Sequence, residues 1–231
     1  GYTVSPWSVG RGAAVMVRAA LAGLVLQTLV VYLLLDEFRI LNGFMSLIGI
    51  LPLLWFGSYF LLRSWGLTLS SCFGFSVPLR RCGCLLLFTV ALSGVDFIGT
   101  IAISALTESL GIHMHWAESP EESFLWDPAW VVGLNFVDGV VWAPIFEEIG
   151  CRGFLYTTAR RWLPATPAAL ATGVLFGAAH LYSLQGFLVV AWSGFLWSLA
   201  YEKSRSLLPG IFSHSLGNVL AFGGMILVYR A

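Results

Sequence analysis

Two adjacent carboxylates and one guanidinium interrupt a strongly apolar stretch of the chain, at Glu147, Glu148 and Arg152. In a helix, Glu148 and Arg152 are four residues apart and share one face, in the order that favours an ion pair. Glu147 points about 100° away and lacks that partner. An unpaired carboxylate in a low-dielectric site is a good proton acceptor, so we expect Glu147 to be a general base supported by the Glu148–Arg152 pair. The alternative is a salt-bridge cluster that only holds helices together.

Two later apolar stretches each carry one histidine. His180 ends a stretch with a Gly-x-x-x-Gly pattern, whose small residues let helices approach closely in lipid, and Phe176 lies one turn before it. His214 and Asn218 are four residues apart and share a helix face. Both can donate hydrogen bonds, so together they could stabilise an oxyanion. Each of these residues could instead serve only as an interhelical packing contact.

The composition puts the chain in the membrane class. Of its 231 residues, 58% are hydrophobic and 10% are charged, whereas a soluble domain carries about 25% charged residues. The formal net charge is zero, so no field directed at nucleic acid is expected. We predict an all-α polytopic membrane bundle, with one integral membrane domain over residues 1–231 and its catalytic core helices within 130–220.

Seven stretches are long and apolar enough to span a bilayer, which takes about 20 residues. A semi-polar stretch at 64–81 lies at the interface or re-enters, and it adds an eighth span if it folds into the bilayer. The first span is expected to be a retained helix and not a cleaved signal peptide. The predicted spans are 13–35, 43–62, 82–105, 129–151, 166–183, 185–202 and 207–229.

The basic residues predict the orientation of this bundle. Nine of the twelve Lys and Arg residues fall on one side of a seven-span arrangement, and the acidic loop at 106–128 contains none. By the positive-inside rule, the N-terminus is therefore cytoplasmic. Glu147, His180 and His214 each lie about 13 to 21 Å along a helix from that side, so they could meet at a common depth. The nine residues are Arg11, Arg18, Arg63, Arg80, Arg81, Arg160, Arg161, Lys203 and Arg205.

Several other polar residues are candidates for the site. His113 and His115 form a His-x-His pair in the acidic loop, a pattern that is more often solvated than metal-binding. Cys151 lies beside the acidic motif, but the sequence indicates no base placed to activate it as a nucleophile. Asp138 is expected to hydrogen-bond to another helix on the face away from Glu147. Asp96, inside the third predicted span, has no role that the sequence indicates.

Three motifs in this order, each on its own predicted helix, resemble the CAAX protease and bacteriocin-processing family, also called the Abi family. They are Glu-Glu-x-x-x-Arg at 147–152, Phe-x-x-x-His at 176–180 and His-x-x-x-Asn at 214–218. The resemblance covers roughly residues 130–220. It implies an all-helical intramembrane glutamate endopeptidase, a peptide hydrolase in which Glu147 and His180 activate water. His214 and Asn218 would then form the oxyanion site.

The resemblance also bears on the cofactor and the partners. Glutamate catalysis needs no cofactor, but a zinc-dependent variant stays open in which Glu147, His180 and His214 are the three protein ligands. The expected partners are the lipid bilayer and a membrane-tethered substrate, which could be prenylated, a pheromone or bacteriocin, or a protein with a C-terminal sorting tag. The expected location is the bacterial inner (plasma) membrane.

Two readings from other classes compete with the peptidase. The first is a non-catalytic membrane protein that confers bacteriocin immunity or binds partners. The second is a small transporter that uses the buried acids as a proton relay. The sequence shows no inverted repeat or paired broken helices, which are typical of such transporters.

Overall fold

The computed structural model describes residues 1–34, 43–112 and 126–230, and every regular element in these ranges is helical. Six of the helices are long and apolar enough to cross a membrane, and one further apolar helix is shorter. The predicted all-α polytopic bundle is therefore confirmed. Its helices are α1 (Val9–Leu34), α2 (Met45–Trp65), α3 (Leu69–Phe73), α4 (Leu79–Ser109), α5 (Ala129–Ala159), α6 (Ala165–Ala179), α7 (Leu184–Ser204) and α8 (Leu208–Arg230).

The stretch 64–81 adds no eighth span. It contains the five-residue helix α3, which begins at a capping box formed by Thr68 and ends at Gly74, whose φ of 68° is readily adopted by glycine. Cys72 and Phe73 are fully buried. Their main-chain carbonyls accept hydrogen bonds from the N-terminal segment and from Leu207, at 2.8 and 3.0 Å. This stretch therefore packs under one end of the bundle.

Helix α6 is shorter than the span predicted at 166–183. Its 15 residues extend about 22 Å, less than the roughly 30 Å of a hydrocarbon core. The helix ends because Leu181 adopts the left-handed region, with φ of 56°, and α7 starts at Leu184. The connecting turn at 180–183 therefore follows a helix that is too short to cross a hydrocarbon core by itself.

Small residues bring α6 against α7. A Cβ added to Gly173 would lie 2.8 Å from the carbonyl oxygen of Ala191, and one added to Gly177 would lie 2.8 Å from that of Phe187. Real Cβ contacts are not this short, so only glycine allows the two backbones to approach so closely. The close packing predicted for the His180 helix is confirmed.

Helix α5 is continuous but departs from α-helical winding in two segments. It contains two π-helical segments, Asp138–Trp142 and Ile149–Tyr156. The α-helical piece between them is Ala143–Glu148, which ends with the acidic pair. A wheel of 100° per residue therefore holds only within the separate pieces of this helix. Such π-helical turns are rare and occur frequently at functional sites.

The connections that carry most of the basic residues meet at one end of the bundle, as the seven-span arrangement predicted. The N-terminal segment packs there, and the Trp7 indole is fully buried and donates to the Thr158 hydroxyl at 2.9 Å. The hydrogen bonds that join the connections at this end include Tyr2 N–H to Cys72 O at 2.8 Å, Ser5 N–H to Thr157 O at 3.0 Å, and Ser206 O–H to Gly74 O at 2.7 Å.

Candidate active site

Three helices bring Glu147, His180 and His214 together. The Oε2 atom of Glu147, on α5, lies 3.9 Å from Nε2 of His180 at the end of α6. The same oxygen lies 3.7 Å from Nε2 of His214 on α8. Residues that are far apart in sequence and occur in separate apolar segments thus converge around one carboxylate oxygen.

Glu148 and Arg152 form the ion pair that their spacing predicted. Arg152 Nη1 donates to Glu148 Oε1 at 2.7 Å, and each side chain is 1% exposed. Arg152 Nη2 also donates to the Gly194 carbonyl on α7 at 3.0 Å. The guanidinium carbon lies 4.4 Å from the centre of the Phe176 ring and 5.1 Å from that of Trp197. The buried positive charge is therefore compensated by a carboxylate, a carbonyl and two aromatic faces.

The His214 ring is held between aromatic side chains. It stacks on Trp197 with ring centres 4.3 Å apart and an interplanar angle of 25°. Phe176 meets it edge to face, at 6.0 Å and 89°. Its Nδ1 atom lies 3.6 Å from Oε1 of Glu148. One imidazole thus faces Glu147 with one nitrogen and Glu148 with the other.

The orientation of His180 follows from its own helix. Its Nδ1 atom lies 2.8 Å from the Phe176 carbonyl oxygen. A carbonyl only accepts, so Nδ1 carries a proton, and in a neutral imidazole Nε2 then has its lone pair on the side of Glu147. The next residue, Leu181, has a positive φ of 56°. A non-glycine residue in this region stores backbone strain, which tends to occur where a turn positions a functional group.

Asn218 is on the same helix as His214, and its amide is engaged. Its Nδ2 atom donates to the Gly139 carbonyl at 2.6 Å, inside the first π-helical segment of α5. This bond ties α8 to α5 and uses one of the two amide N–H groups. The second N–H group is the one that could serve an oxyanion.

The comparison with known families bears on this part of the chain. Residues 128–220 match the family model described as Rce1-like, type II CAAX prenyl endopeptidase Rce1-like. The predicted family resemblance is confirmed. The matched segment contains every residue of the three motifs, whereas α1 to α4 lie outside it. No curated protein and no solved structure gave a significant match.

The sequence predicted a partner for Asp138 but none for Asp96, the other aspartate inside a span. Asp138 accepts from the Ser46 hydroxyl at 2.8 Å and from the Ser46 N–H at 3.3 Å, which confirms an interhelical partner. Asp96 accepts from Ser193 at 2.7 Å and from the Trp197 indole at 3.0 Å. No spacing rule links residues this far apart, so the sequence carries no signal for these contacts with α7. The only signal at Asp96 is the rarity of an acid within a span.

Within the described ranges, no group of three His, Cys, Asp or Glu residues is arranged to hold a metal ion. His113 and His115 lie outside the described residues. Cys151 is a free, partly buried thiol. The Rce1-like segment therefore presents a carboxylate with two imidazoles above a buried ion pair.

Proposed function

We propose that this protein is an intramembrane glutamate endopeptidase that cleaves membrane-associated or lipid-modified protein or peptide substrates. One observation carries the proposal: Oε2 of Glu147 faces Nε2 of both His180 and His214. Within the described residues this buried oxygen has no hydrogen-bond partner. Buried polar atoms are normally satisfied, so an orphaned carboxylate oxygen between two imidazoles suits a group that works on a bound water. The Rce1-like match supports peptide hydrolysis in general.

The distances suit a water molecule between these groups. Separations of 3.7 and 3.9 Å are too long for direct hydrogen bonds and suit contacts bridged by water. In the proposed reaction, Glu147 takes a proton from water while the water oxygen attacks the carbonyl carbon of the scissile peptide bond. The Nε2 lone pair of His180 accepts the other water proton as a hydrogen bond and so orients the attack. Glu147, Glu148 and Arg152 together carry one net negative charge, which is neutralised when Glu147 takes the proton from water.

The attack leaves a negative charge on the former carbonyl oxygen. We propose that His214 and the second N–H of Asn218 donate hydrogen bonds to it, as an oxyanion site. When the tetrahedral intermediate breaks down, the carbon–nitrogen bond cleaves and the electron pair goes to the leaving amine. Glu147 then returns its proton to that amine, which closes the cycle.

The proposed reaction uses no metal. The zinc alternative would take Glu147, His180 and His214 as ligands, whose donor atoms lie about 3.3 Å apart around a tetrahedral zinc. The observed separations of 3.7 and 3.9 Å are longer. Cleavage should therefore persist after treatment with a zinc chelator, and activity that disappears and returns with added zinc would favour the zinc alternative.

The exposure of the site indicates how a substrate reaches it. The side chains of Glu147 and His180 are each 23% exposed, whereas the Glu148 side chain is 1% exposed. The adjacent turn presents Leu181, which is 91% exposed, and Leu184. An opening flanked by apolar side chains within the bilayer favours a substrate with a hydrophobic or lipid-modified end.

We further propose that the basic end of the bundle and the N-terminus face the cytoplasm, in a bacterial plasma membrane. The support is the positive-inside rule, applied to connections that the fold brings to one end. A reporter enzyme that is active only in the periplasm, fused to the C-terminus, should be active. A silent C-terminal fusion with an active fusion in the connection between α5 and α6 would reverse the orientation.

The deciding experiment maps protein termini in host membranes, comparing wild type with Glu147→Gln at equal expression. We expect a set of termini that disappears in Glu147→Gln and persists in Glu202→Gln, which alters a carboxylate paired with Arg160 away from the histidines. If no terminus changes while the host phenotype survives Glu147→Gln, the protein acts without catalysis, as an immunity or partner-binding protein.

A further inference from the structure

We infer that Asp96 on α4 is a positioning residue for the site, which acts through Trp197 to fix the His214 ring and the Arg152 guanidinium. Asp96 lies outside residues 128–220, the segment that matches the Rce1-like family. The part of the chain before that segment would thus take part in organising the site. This inference rests on the proposed function and concerns how that same site is held in place.

The carboxylate of Asp96 is fully engaged with one helix. Its Oδ1 atom accepts from the Ser193 hydroxyl at 2.7 Å, and its Oδ2 atom accepts from the Trp197 indole N–H at 3.0 Å. The Trp192 indole donates to its main-chain carbonyl at 3.4 Å. Asp96 is 8% exposed, and an acid buried in a span is costly enough to indicate a function. These contacts fix α4 against the face of α7 that carries Trp197.

Trp197 passes this restraint on to the site. Its indole stacks on the His214 ring at 4.3 Å, and its ring centre lies 5.1 Å from the Arg152 guanidinium carbon. An indole whose N–H is bound to a carboxylate cannot rotate without losing that bond in a low-dielectric interior. The hydrogen bond from Trp197 to Asp96 therefore sets the plane on which His214 rests.

His214 depends on this plane because its polar contacts are long. Its Nδ1 atom lies 3.6 Å from Glu148 and its Nε2 atom lies 3.7 Å from Glu147. Neither separation is a direct hydrogen bond, so the stacking contact with Trp197 and the edge-to-face contact with Phe176 determine the position of the His214 ring. A displacement of about 1 Å in a catalytic group can cost on the order of a hundredfold in rate.

The first test measures kcat and KM of the full chain in proteoliposomes, on a peptide whose cleavage site comes from the terminus mapping. Asp96→Leu keeps the branched shape of the side chain and removes both acceptors, so kcat should fall about ten- to a hundredfold with little change in KM. Asp96→Asn should stay within about threefold of wild type. Its amide oxygen can accept from Trp197, and its N–H group can donate to the Ser193 hydroxyl.

A double-mutant cycle separates positioning from general damage to the fold. Trp197→Phe removes the N–H donor. The decrease in kcat that it causes should not add to the decrease caused by Asp96→Leu, because both changes remove the same hydrogen bond. Losses that multiply in the double variant, or an Asp96→Asn variant as slow as Asp96→Leu, would overturn the inference. If Asp96→Leu does not fold, the test uses Trp197→Phe alone, which should lower kcat. A Trp197→Phe variant with the kcat of wild type would also overturn the inference.

A second readout needs no substrate. In protein labelled with ¹³C at the Cε1 of histidine, the His214 signal should carry the ring-current shift of the stacked Trp197 indole. The signal should move in Asp96→Leu and stay in place in Asp138→Asn, which alters a buried acid bonded to Ser46 instead. An unmoved signal in Asp96→Leu would overturn the inference. Cleavage retained by Glu147→Gln would overturn the proposed function and leave this result standing.

Discussion

The Glu148 carboxylate and the Arg152 guanidinium are 2.7 Å apart, and each side chain is 1% exposed. Glu147, the next residue along the chain, instead faces two imidazoles and is 23% exposed. Adjacent glutamates thus occupy unlike environments, one with a compensating charge and one open to the outside. This difference explains how the same residue type can support the fold at one position and react at the other.

The Arg152→Ala variant should unfold at a lower denaturant concentration than wild type. Arg152→Ala leaves the Glu148 carboxylate buried without its partner, which typically costs about 3–5 kcal/mol in the free energy of unfolding. The matched control is Arg160→Ala. Its bidentate pair with Glu202 has side chains that are 17% and 23% exposed, so the expected cost is smaller than for the buried pair, about 1–2 kcal/mol. Equilibrium unfolding in detergent micelles measures both, and equal losses would contradict the assigned role of the buried pair.

Removing the base should leave the fold intact. Glu147→Gln keeps the size of a side chain whose Oε2 atom has no hydrogen-bond partner within the described residues, so its free energy of unfolding should stay within about 0.5 kcal/mol of wild type. The cleavage rate should fall about a hundredfold to ten-thousandfold, the usual contribution of general base catalysis. Kinetics and unfolding are measured on the same preparation. An active Glu147→Gln enzyme would show that another group takes the proton.

One glycine of α8 leaves room for the Glu148 carboxylate. A Cβ added to Gly210 would lie 2.5 Å from Oε2 of Glu148, whereas one added to Gly217 meets nothing within 4 Å. Gly210→Ala should therefore displace the carboxylate, lower the free energy of unfolding by about 1–3 kcal/mol and slow cleavage. Gly217→Ala should stabilise the helix slightly. Thermal unfolding and cleavage assays compare the two variants, and the same sign of change in both would contradict this account.

A buried thiol at the basic end predicts a loss of stability in alkali. Burial raises the pKa of Cys72, outside the spans, from 9.0 to about 12. The folded protein keeps this thiol protonated where the unfolded chain ionises. The contribution of the protonated thiol to the free energy of unfolding is fully present below pH 9, and it is lost as the pH rises from 9 towards 12. Between pH 8 and 10.5, the unfolding temperature should fall less steeply with pH for Cys72→Ala than for Cys82→Ala, which changes an exposed cysteine. Parallel curves would contradict the shift.

The sequence predicted part of the geometry of the site from local spacing and from the polar residues in its apolar segments. The i, i+4 rule gave the Glu148–Arg152 pair, because that rule depends only on local helix geometry. The small residues before His180 gave the close packing of α6, because glycine limits how near two backbones can come. The convergence of Glu147 with His180 and His214 followed from three polar groups in separate apolar segments.

Other features depend on the three-dimensional packing and have no local signal. The turn at Leu181, which shortens α6, forms in an apolar stretch that periodicity cannot tell from a full span. The contacts of Asp96 with α7 join residues almost one hundred positions apart. Asn218 bonds to a carbonyl of a π-helical segment, and a 100° wheel cannot represent such a segment.

The acidic pair lies between two π-helical segments of α5, Asp138–Trp142 and Ile149–Tyr156. A π turn holds one more residue per hydrogen-bonded ring than an α turn, so converting one segment to α winding would shift the register by one residue, about 100°. A change in Ile149–Tyr156 would rotate the piece that bears the two acids relative to the piece that bears Arg152. A change in Asp138–Trp142 would rotate both of these relative to the piece that begins at Ala129. Single-residue deletions in α5 would therefore act as rotations of the acidic pair, with an effect that depends on which side of Glu147 the residue is lost.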